Sequence, residues 1–443
     1  MTQSTNPAAG PRKVLSITDG IAFFVGIVIG AGIFKTPSIV AATTGSDWLF
    51  IGVWIAGGVA TLIGALCYAE IAAAYPNAGG EYSFLARAYG KKIAVLFAWA
   101  RGTVIQTGAI ALVAFVFGDY AQQLVPLGPK GPAIWAALSV AALTAINISG
   151  TMPGARAQKV LEVMTILALV AVIVIGFSIA GGSQVKPAEP GGGASALGLA
   201  MVLVLLTYGG WNEIAYLSGE MKDVRRDMLR IVIIGTTVVT LLYVAFCLAL
   251  LLALGLKGIA ESKAVGADLM RFAAGEKGVA LLAITVCLSS LSTINGSIFT
   301  GARTYYALGR DVPIIGRLGI WDENGSKPAN ALLLQGGIAL ALVVFGGMTR
   351  DGFSTMVDYT APVFWFFLLL TGLSLFIFRV RDPGAERPFR VPLYPLTPAL
   401  FVGICAWLLY SSLAYTGLGA LVGVGVLAIG LPLLFFAAPD DAG

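Results

Sequence analysis

The sequence predicts an all-α polytopic membrane protein with 12 transmembrane helices, and three observations support this class. The 443 residues are 58% hydrophobic and only 12% charged, whereas charged residues make up about 25% of an ordinary soluble domain. Apolar segments of the roughly 20 residues needed to cross a bilayer recur along the whole chain. Two of these segments are interrupted by glycine clusters. The segments cover residues 16–42, 48–75, 92–120, 131–150, 158–180, 195–219, 228–255, 277–302, 329–348, 352–379, 396–416 and 418–438.

The first apolar segment carries a break near its centre. Gly26, Gly30 and Gly32 lie close together, and Pro37 follows them. Each glycine costs about 1 kcal/mol relative to alanine inside a helix, and a membrane tolerates irregular backbone only where protein or a wet cavity surrounds it. The sequence therefore predicts a helix that is unwound near Gly30, with free backbone amides and carbonyls at mid-membrane depth.

Charged residues lie in or beside the first three segments. Glu70 and Glu81 flank the turn after the second segment, and we expect them to pair at the interface. Arg101 lies about 15 Å along the third helix at 1.5 Å per residue. It must therefore face the bundle interior, extend to the surface or meet a carboxylate, unless the helix starts later. Lys35 either biases the outer vestibule toward anionic substrates or extends to the surface.

The sixth segment contains a second break. The stretch 205–220 includes the adjacent Gly209 and Gly210, followed by the polar Asn212 and Glu213. Two interrupted segments in corresponding positions of two halves are typical of a transporter's substrate site. Either break taken alone is also compatible with glycines that let neighbouring helices pack closely.

Two later stretches are predicted to have special roles. Residues 256–277 have a spacing of apolar side chains that allows a short amphipathic helix, which would form a lid or lie at the interface. The eighth segment presents hydroxyls near one helix face, and these either bond to neighbouring helices or line a path for an ion or substrate. The two sets are Leu256, Ile259, Val265, Leu269 and Phe272 for the lid, and Ser289, Thr293, Ser297 and Thr300 for the polar strip.

The distribution of basic residues predicts the topology. Loops taken as cytoplasmic hold most of the Lys and Arg residues, including the cluster around Arg225 and Arg226, as expected for the inner side of a membrane. Both termini are then cytoplasmic, residues 1–15 form an N-terminal tail, and the first apolar segment is retained rather than cleaved. This topology accounts for the net charge of +5 without a nucleic-acid partner. We expect a lipid bilayer to surround the transmembrane helices.

Five motifs in order along the chain resemble the amino acid/polyamine/organocation transporter superfamily. The resemblance is strongest to its L-type amino-acid transporter branch and to bacterial permeases. The motifs are GIVIGAGIF from Gly26, YAEIAAAYPNAGGEY from Tyr68, YGGWNEIAYLSGEMKDVRRDMLR from Tyr208, LSTINGSIFTGARTYYALGRDVP from Leu291, and ERPFRVPLYPLTP from Glu386.

The resemblance implies two inverted five-helix repeats, at 16–180 and 195–379, followed by two further helices at 396–438. It also implies a substrate held between the two broken helices. The amides of Ala31 and Gly32 would receive the carboxylate at a positive helix end, and backbone carbonyls would receive the ammonium. The implied substrate residues are Val28, Ala31, Gly32, Leu206, Tyr208 and Gly209.

Departures from the family pattern leave the coupling open. Leu206 stands where relatives often have an aromatic gate, and Thr165 stands where many have a lysine, so coupling through a protonated lysine is not implied. A sodium ion could occupy that space, because oxygen ligands suit hard cations. Its ligands would be the carbonyls of Gly26, Ile29 and Val286 and the hydroxyls of Ser289 and Ser290, beside Thr165.

The predicted function is secondary transport of small L-amino acids across a plasma membrane of the bacterial inner type, by exchange or with Na⁺ or H⁺. A polyamine or organic-cation carrier is the alternative within the class. A membrane-embedded enzyme is less favoured, since the chain has no histidine and no carboxylate pair at catalytic spacing. A channel is less favoured because selectivity constrictions are usually symmetric rings of carbonyls or charges, whereas this chain has two unlike breaks. No metal or other cofactor is expected. The loop 118–132 lacks the cysteine by which human relatives hold a partner subunit, so we expect a monomer or homodimer.

Overall fold

The computed structural model of the chain consists of packed helices. It describes residues 16–77, 79–149, 155–179, 194–213, 221, 224–320, 328–349, 351–414 and 417–436. Within these ranges, nine helices are long and apolar enough to cross a membrane. Shorter apolar helices occupy Ile17–Val28, Glu162–Ser178 and Leu197–Thr207. The chain is therefore a multi-pass membrane protein.

The first half begins with two short helices in place of one long span. A capping box starts the first helix, since the Ser16 hydroxyl accepts from the Asp19 amide at 3.3 Å and Asp19 accepts from the Ser16 amide at 3.1 Å. The elements in chain order are α1 (Ile17–Val28), a 3₁₀ turn (Ala31–Phe34), α2 (Thr36–Thr44), α3 (Asp47–Ala74), α4 (Gly80–Tyr89), α5 (Lys91–Ala100), a π-helical turn (Arg101–Gln106), α6 (Thr107–Leu124), α7 (Gly131–Ser149) and α8 (Ala155–Ser178).

The second half also opens with an interrupted segment. Its first helix ends at Thr207, and a 3₁₀ turn follows after three residues. The elements are α9 (Ala194–Thr207), a 3₁₀ turn (Trp211–Glu213), α10 (Val224–Glu261), α11 (Val265–Asp311), a 3₁₀ turn (Pro313–Gly319), α12 (Ala329–Gly347), α13 (Gly352–Arg381), α14 (Leu396–Ala414), α15 (Leu418–Ile429) and a 3₁₀ turn (Leu431–Phe435).

The expected lid, residues 256–277, is helical except at 262–264, and glycine kinks lie at or near its two ends. Gly255 and Gly275 have φ of 67° and 62°, a region that favours glycine, and they separate this segment from the long parts of α10 and α11. Four of its five expected apolar side chains are buried, but Phe272 is 58% exposed. The apolar spacing thus identified the packed face correctly except at Phe272.

A buried carboxylate ties the bundle to the connector after α13. Glu70 on α3 accepts two hydrogen bonds from Arg379, at 2.7 and 2.8 Å. Arg387 lies 3.6 Å from the same carboxylate, and the Val391 amide donates to it at 2.6 Å. Such charge-assisted, bidentate pairs are the strongest of their kind. The prediction that Glu70 pairs with a basic group is confirmed.

Candidate functional site

The first break lies at Ile29 and Gly30, as the glycine pattern predicted. The amide of Ile29 still bonds to the Val25 carbonyl, but the Gly30 amide bonds to the Val28 carbonyl at 2.9 Å instead of continuing the helix. The Gly26 carbonyl, which would accept from the Gly30 amide in a continuous helix, therefore does not receive that hydrogen bond. The 3₁₀ turn that follows begins at Ala31, and the first amides of such a turn have no partner inside it.

The second break lies at residues 208–210, also as predicted. The Gly209 amide bonds to the Leu206 carbonyl at 3.1 Å, and Gly210 has φ of 100°. This left-handed conformation suits glycine, which has no Cβ to clash. The chain then forms the 3₁₀ turn Trp211–Glu213.

The structure brings the two breaks into direct contact. A Cβ placed on Gly210 would lie 2.9 Å from the Ile27 carbonyl oxygen, and one on Gly32 would lie 3.7 Å from the Thr207 methyl group. The Thr207 hydroxyl donates to the Thr36 hydroxyl at 2.7 Å, and both residues are buried. The close approach at Gly210 explains why a residue without a side chain is needed there.

A tyrosine that the sequence analysis did not identify joins both breaks. The Tyr243 hydroxyl on α10 lies 2.8 Å from the Val28 carbonyl oxygen and 3.3 Å from the Thr207 carbonyl oxygen. Its ring is fully buried and packs edge-on against Trp54 and Tyr208, at centroid distances of 5.8 and 5.0 Å. A tyrosine within an apolar segment carries no local signal for this role, because only the packing of α10 against the breaks creates it.

The residues expected to bind substrate gather at this junction. Ala31 is buried at the start of its turn. The Leu206 carbonyl accepts from the Gly209 amide and, with two lone pairs, can also accept from a ligand. The Val28 carbonyl accepts from the Gly30 amide and lies 2.8 Å from the Tyr243 hydroxyl, so a ligand there would replace the Tyr243 hydroxyl. Tyr208 is fully buried, and its hydroxyl donates to the Trp54 carbonyl at 3.0 Å. Its side chain thus holds α3 against the second break.

The expected cation ligands are buried as well. Ser290 is fully buried and Ser289 is 5% exposed, and the Ser290 hydroxyl has no hydrogen-bond partner among the described residues. Val286 and Thr165 are 1% and 2% exposed, and Ile29 is 4% exposed. At the first break, a Cβ on Gly26 would lie 3.1 Å from a carboxylate oxygen of Glu162, which adds a negative group near the expected position.

Part of the polar strip on α11 bonds to neighbouring helices. The Ser297 carbonyl accepts from Gln106 at 3.3 Å and from Gln335 at 3.1 Å. Asn295 accepts from Asn147 on α7 at 2.8 Å. Two hydroxyls of the strip itself, those of Thr293 and Thr300, donate to carbonyls of their own helix at 3.1 and 2.9 Å. The contacts with neighbouring helices therefore come mainly from the Asn295 side chain and the Ser297 carbonyl.

Arg101 meets two carboxylates, which was one of the alternatives for it. Its guanidinium lies 2.9 Å from Glu213 and 3.4 Å from Glu81. Glu81 also accepts from Tyr68 at 2.6 Å and from Asn212 at 3.2 Å. Burial raises the pKa of the Glu81 carboxyl, and the attraction of Arg101 opposes that increase.

Lys35 follows neither of the two courses expected for it. Its ammonium lies 2.8 Å from the Asp119 carboxylate, at the far end of α6, and donates to the Lys263 carbonyl in the lid at 3.2 Å. The side chains of Lys35 and Asp119 are only 9% and 15% exposed. The sequence analysis missed Asp119, whose charge at the end of an apolar segment was the available signal.

Comparison with known proteins gives a consistent result. The family profile described as amino acid permease matches residues 15–437. The human large neutral amino acids transporter small subunit 2 is 30% identical over 96% of this chain and 80% of its own length. The mouse b(0,+)-type amino acid transporter 1 is 28% identical over 86% of this chain and 79% of its own. The mouse Asc-type amino acid transporter 1 is 27% identical over 96% and 81%.

Proposed function

From the premise that this chain belongs to the amino acid permease family, we propose that it is a secondary active transporter which moves small L-amino acids across a plasma membrane by alternating access. The observation that carries the proposal is the contact between the two helix breaks, which Tyr243 bridges at Val28 and Thr207. This junction presents backbone donors and acceptors to one small region, and an amino acid carries both charges they suit.

The substrate carboxylate would bind the amides of Ala31 and Gly32 at the start of their 3₁₀ turn. The ammonium would bind the Gly209 carbonyl and the remaining lone pair of the Leu206 carbonyl. It would bind the Val28 carbonyl in place of the Tyr243 hydroxyl, which would then donate to the Thr207 carbonyl. Main-chain groups recognise the part that all amino acids share. Leu206, in place of an aromatic gate, leaves the site without a ring at that position.

The proposed architecture contains 12 spans with both termini in the cytoplasm. Nine described helices are long enough to span a membrane, and shorter apolar helices lie at the first, fifth and sixth segments. Residues 16–180 and 195–379 would be inverted repeats, each opening with a broken helix, and 396–438 would add two helices. The expected tail 1–15 lies outside the described residues.

The transporter would work as an exchanger or would couple uptake to a cation. For sodium, the proposed ligands are the carbonyls of Gly26, Ile29 and Val286 with the hydroxyls of Ser289 and Ser290. The Ser290 hydroxyl, which is fully buried and has no hydrogen-bond partner in the described part of the chain, supports this position. A proton is the other coupling ion that the sequence leaves open.

A carrier of polyamines is less favoured than a carrier of amino acids. A polycation needs free carboxylates, and neither break contains one. Glu213, just beyond the second break, is paired with Arg101. We propose neither an enzyme nor a channel, and no covalently linked partner subunit.

Uptake into proteoliposomes tests the proposal. The twenty amino acids would be screened as competitors while internal amino acid, sodium and pH are varied separately. We expect saturable counterflow of small neutral amino acids, because alternating access exchanges labelled for unlabelled substrate. Absence of counterflow for every amino acid would refute the proposed function.

The same assay separates the modes of coupling. If uptake requires internal amino acid and ignores both cations, the protein is an exchanger, and Ser289 and Ser290 are packing residues. If a sodium gradient alone drives accumulation, Ser289→Ala should abolish the sodium dependence while binding of the amino acid is retained.

A further inference from the structure

Two partly buried ion pairs are held by one continuous rod, Lys91–Leu124, which combines α5, the π-helical turn and α6. Arg101 and Asp119 are separated on it by about 27 Å at 1.5 Å per residue. We define the lysine lock as Lys35, Asp119 and the Lys263 carbonyl, and the arginine lock as Arg101, Glu81 and Glu213. The rod thus supplies a positive charge to one lock and a negative charge to the other.

Each lock takes its second charge from just beyond a helix break. Lys35 directly follows the 3₁₀ turn Ala31–Phe34 after the first break, and Glu213 ends the 3₁₀ turn Trp211–Glu213 after the second. A movement of the 3₁₀ turn that follows either break would therefore displace one of these two residues from the rod.

Neighbouring contacts strengthen both locks. At the lysine lock, the Tyr120 hydroxyl donates to the Phe34 carbonyl at 3.1 Å, so two consecutive residues of the rod hold two consecutive residues beyond the first break. At the arginine lock, Asn212 donates to Glu81 at 3.2 Å. The lysine lock also holds the lid through the carbonyl of Lys263.

Both locks are closed in this structure. A charge buried without its partner is costly, so each lock opposes movement of its half-helix until that residue reaches water or another partner. A carrier that opened both at once would let substrate leak, so a working cycle must open them in turn.

We propose that the rod is the common counter-charge of two opposing gates: Lys35 leaves Asp119 when the site opens outward, and Glu213 leaves Arg101 when it opens to the cytoplasm. This inference rests on the proposed function and topology. It predicts that removing the lysine lock and removing the arginine lock change the accessibility of the site in opposite directions, because each removes one gate and leaves the other.

The test measures from which side the site can be reached. A Leu206→Cys reporter at the second break would be labelled with a membrane-impermeant maleimide, applied to right-side-out or inside-out vesicles. The four native cysteines are buried, and the chain without the reporter gives the background. Labelling needs no transport, so it remains informative if the proposed amino-acid transport fails in the separate counterflow assay.

We expect the double variant Lys35→Met with Asp119→Asn to increase the external-to-internal labelling ratio by about tenfold. Weakening only the outer gate shifts the population toward the outward-open state. Glu213→Gln should shift the ratio in the opposite direction. The charge exchange Lys35→Asp with Asp119→Lys should restore the wild-type ratio. The matched control is Glu276→Gln, which removes an exposed ion pair with Arg271 in the lid and should leave the ratio unchanged.

The inference would be overturned if both lock variants shifted the ratio in the same direction, or if neither shifted it in protein that remains monodisperse in detergent. A shift by Glu276→Gln as large as that of the lysine-lock variant would also overturn it, since general loosening of the lid would then be sufficient. If the wild-type protein shows counterflow but neither lock variant changes the labelling ratio, the gates are refuted and the proposed function stands.

Discussion

Tyr243 shows how one hydroxyl can hold an interrupted backbone in place. Breaking a helix releases carbonyl groups, and buried polar groups without partners are costly. The Tyr243 hydroxyl lies within hydrogen-bonding distance of one released carbonyl from each broken helix. It therefore couples the positions of the two breaks, and it shares the Val28 carbonyl with the proposed ammonium site.

Tyr243→Phe should weaken this coupling. We expect the free energy of unfolding in detergent to fall by about 1 kcal/mol, the usual net value of one hydrogen bond, and the initial rate of counterflow to fall because the breaks are no longer fixed to each other. The matched control is Tyr89→Phe, which removes a hydroxyl that donates to the Leu370 carbonyl at 2.8 Å, away from the breaks. Equal loss of transport in both variants would contradict the assignment.

At the scale of elements, the two breaks place different demands on their glycines. Gly30 has an extended conformation, with φ of −102°, and a Cβ there would meet nothing within 4 Å. Gly210 has φ of 100°, and a Cβ there would contact the Ile27 carbonyl. The second break therefore depends on glycine for conformation and for contact, whereas the first does not depend on Gly30 for either.

Gly210→Ala should accordingly be more destabilising than Gly30→Ala. We expect a loss of about 1–3 kcal/mol for Gly210→Ala, since left-handed backbone is strained in residues with a side chain, and a change below about 1 kcal/mol for Gly30→Ala. Chemical unfolding in detergent, followed by far-ultraviolet circular dichroism, measures both. A larger loss for Gly30→Ala than for Gly210→Ala would contradict the requirement for glycine at position 210.

The elements were largely predictable from the sequence, and their mutual contacts were not. Glycine clusters located both breaks, and apolar spacing located most of the packed face of the segment 256–277, because these signals are local. Pairing of Lys35 with Asp119, and of Arg101 with Glu213, depends on how helices far apart in sequence are rotated and packed. The role of Tyr243 was missed for the same reason.

For the whole molecule, the distribution of charge between loops remains the main argument for orientation. Lys130 lies in the loop between α6 and α7, and Arg390 lies in the connector between α13 and α14; both are exposed. The proposed topology places them on opposite sides of the membrane. Cysteine substitutions at these two positions can therefore be labelled with the same maleimide. Background labelling is low because the native cysteines are buried.

A membrane-impermeant maleimide should label Lys130→Cys in intact right-side-out vesicles, and label Arg390→Cys only after the vesicles are permeabilised. The physical reason is the retention of basic loops on the cytoplasmic side. The reverse pattern would invert the topology and exchange the sides of the two locks. Labelling of both positions in intact vesicles would contradict a single orientation.

The spacing of Arg101 and Asp119 along the rod has an evolutionary consequence. Deletion of one residue from the α-helical part between Thr107 and Asp119 would rotate Asp119 by about 100° relative to Arg101, at 3.6 residues per turn. The two charges could then no longer serve both locks, however well the remaining side chains matched. Descendants of this sequence should therefore keep both charges and the length of helix between them, so that insertions and deletions there are rarer than substitutions of the intervening residues.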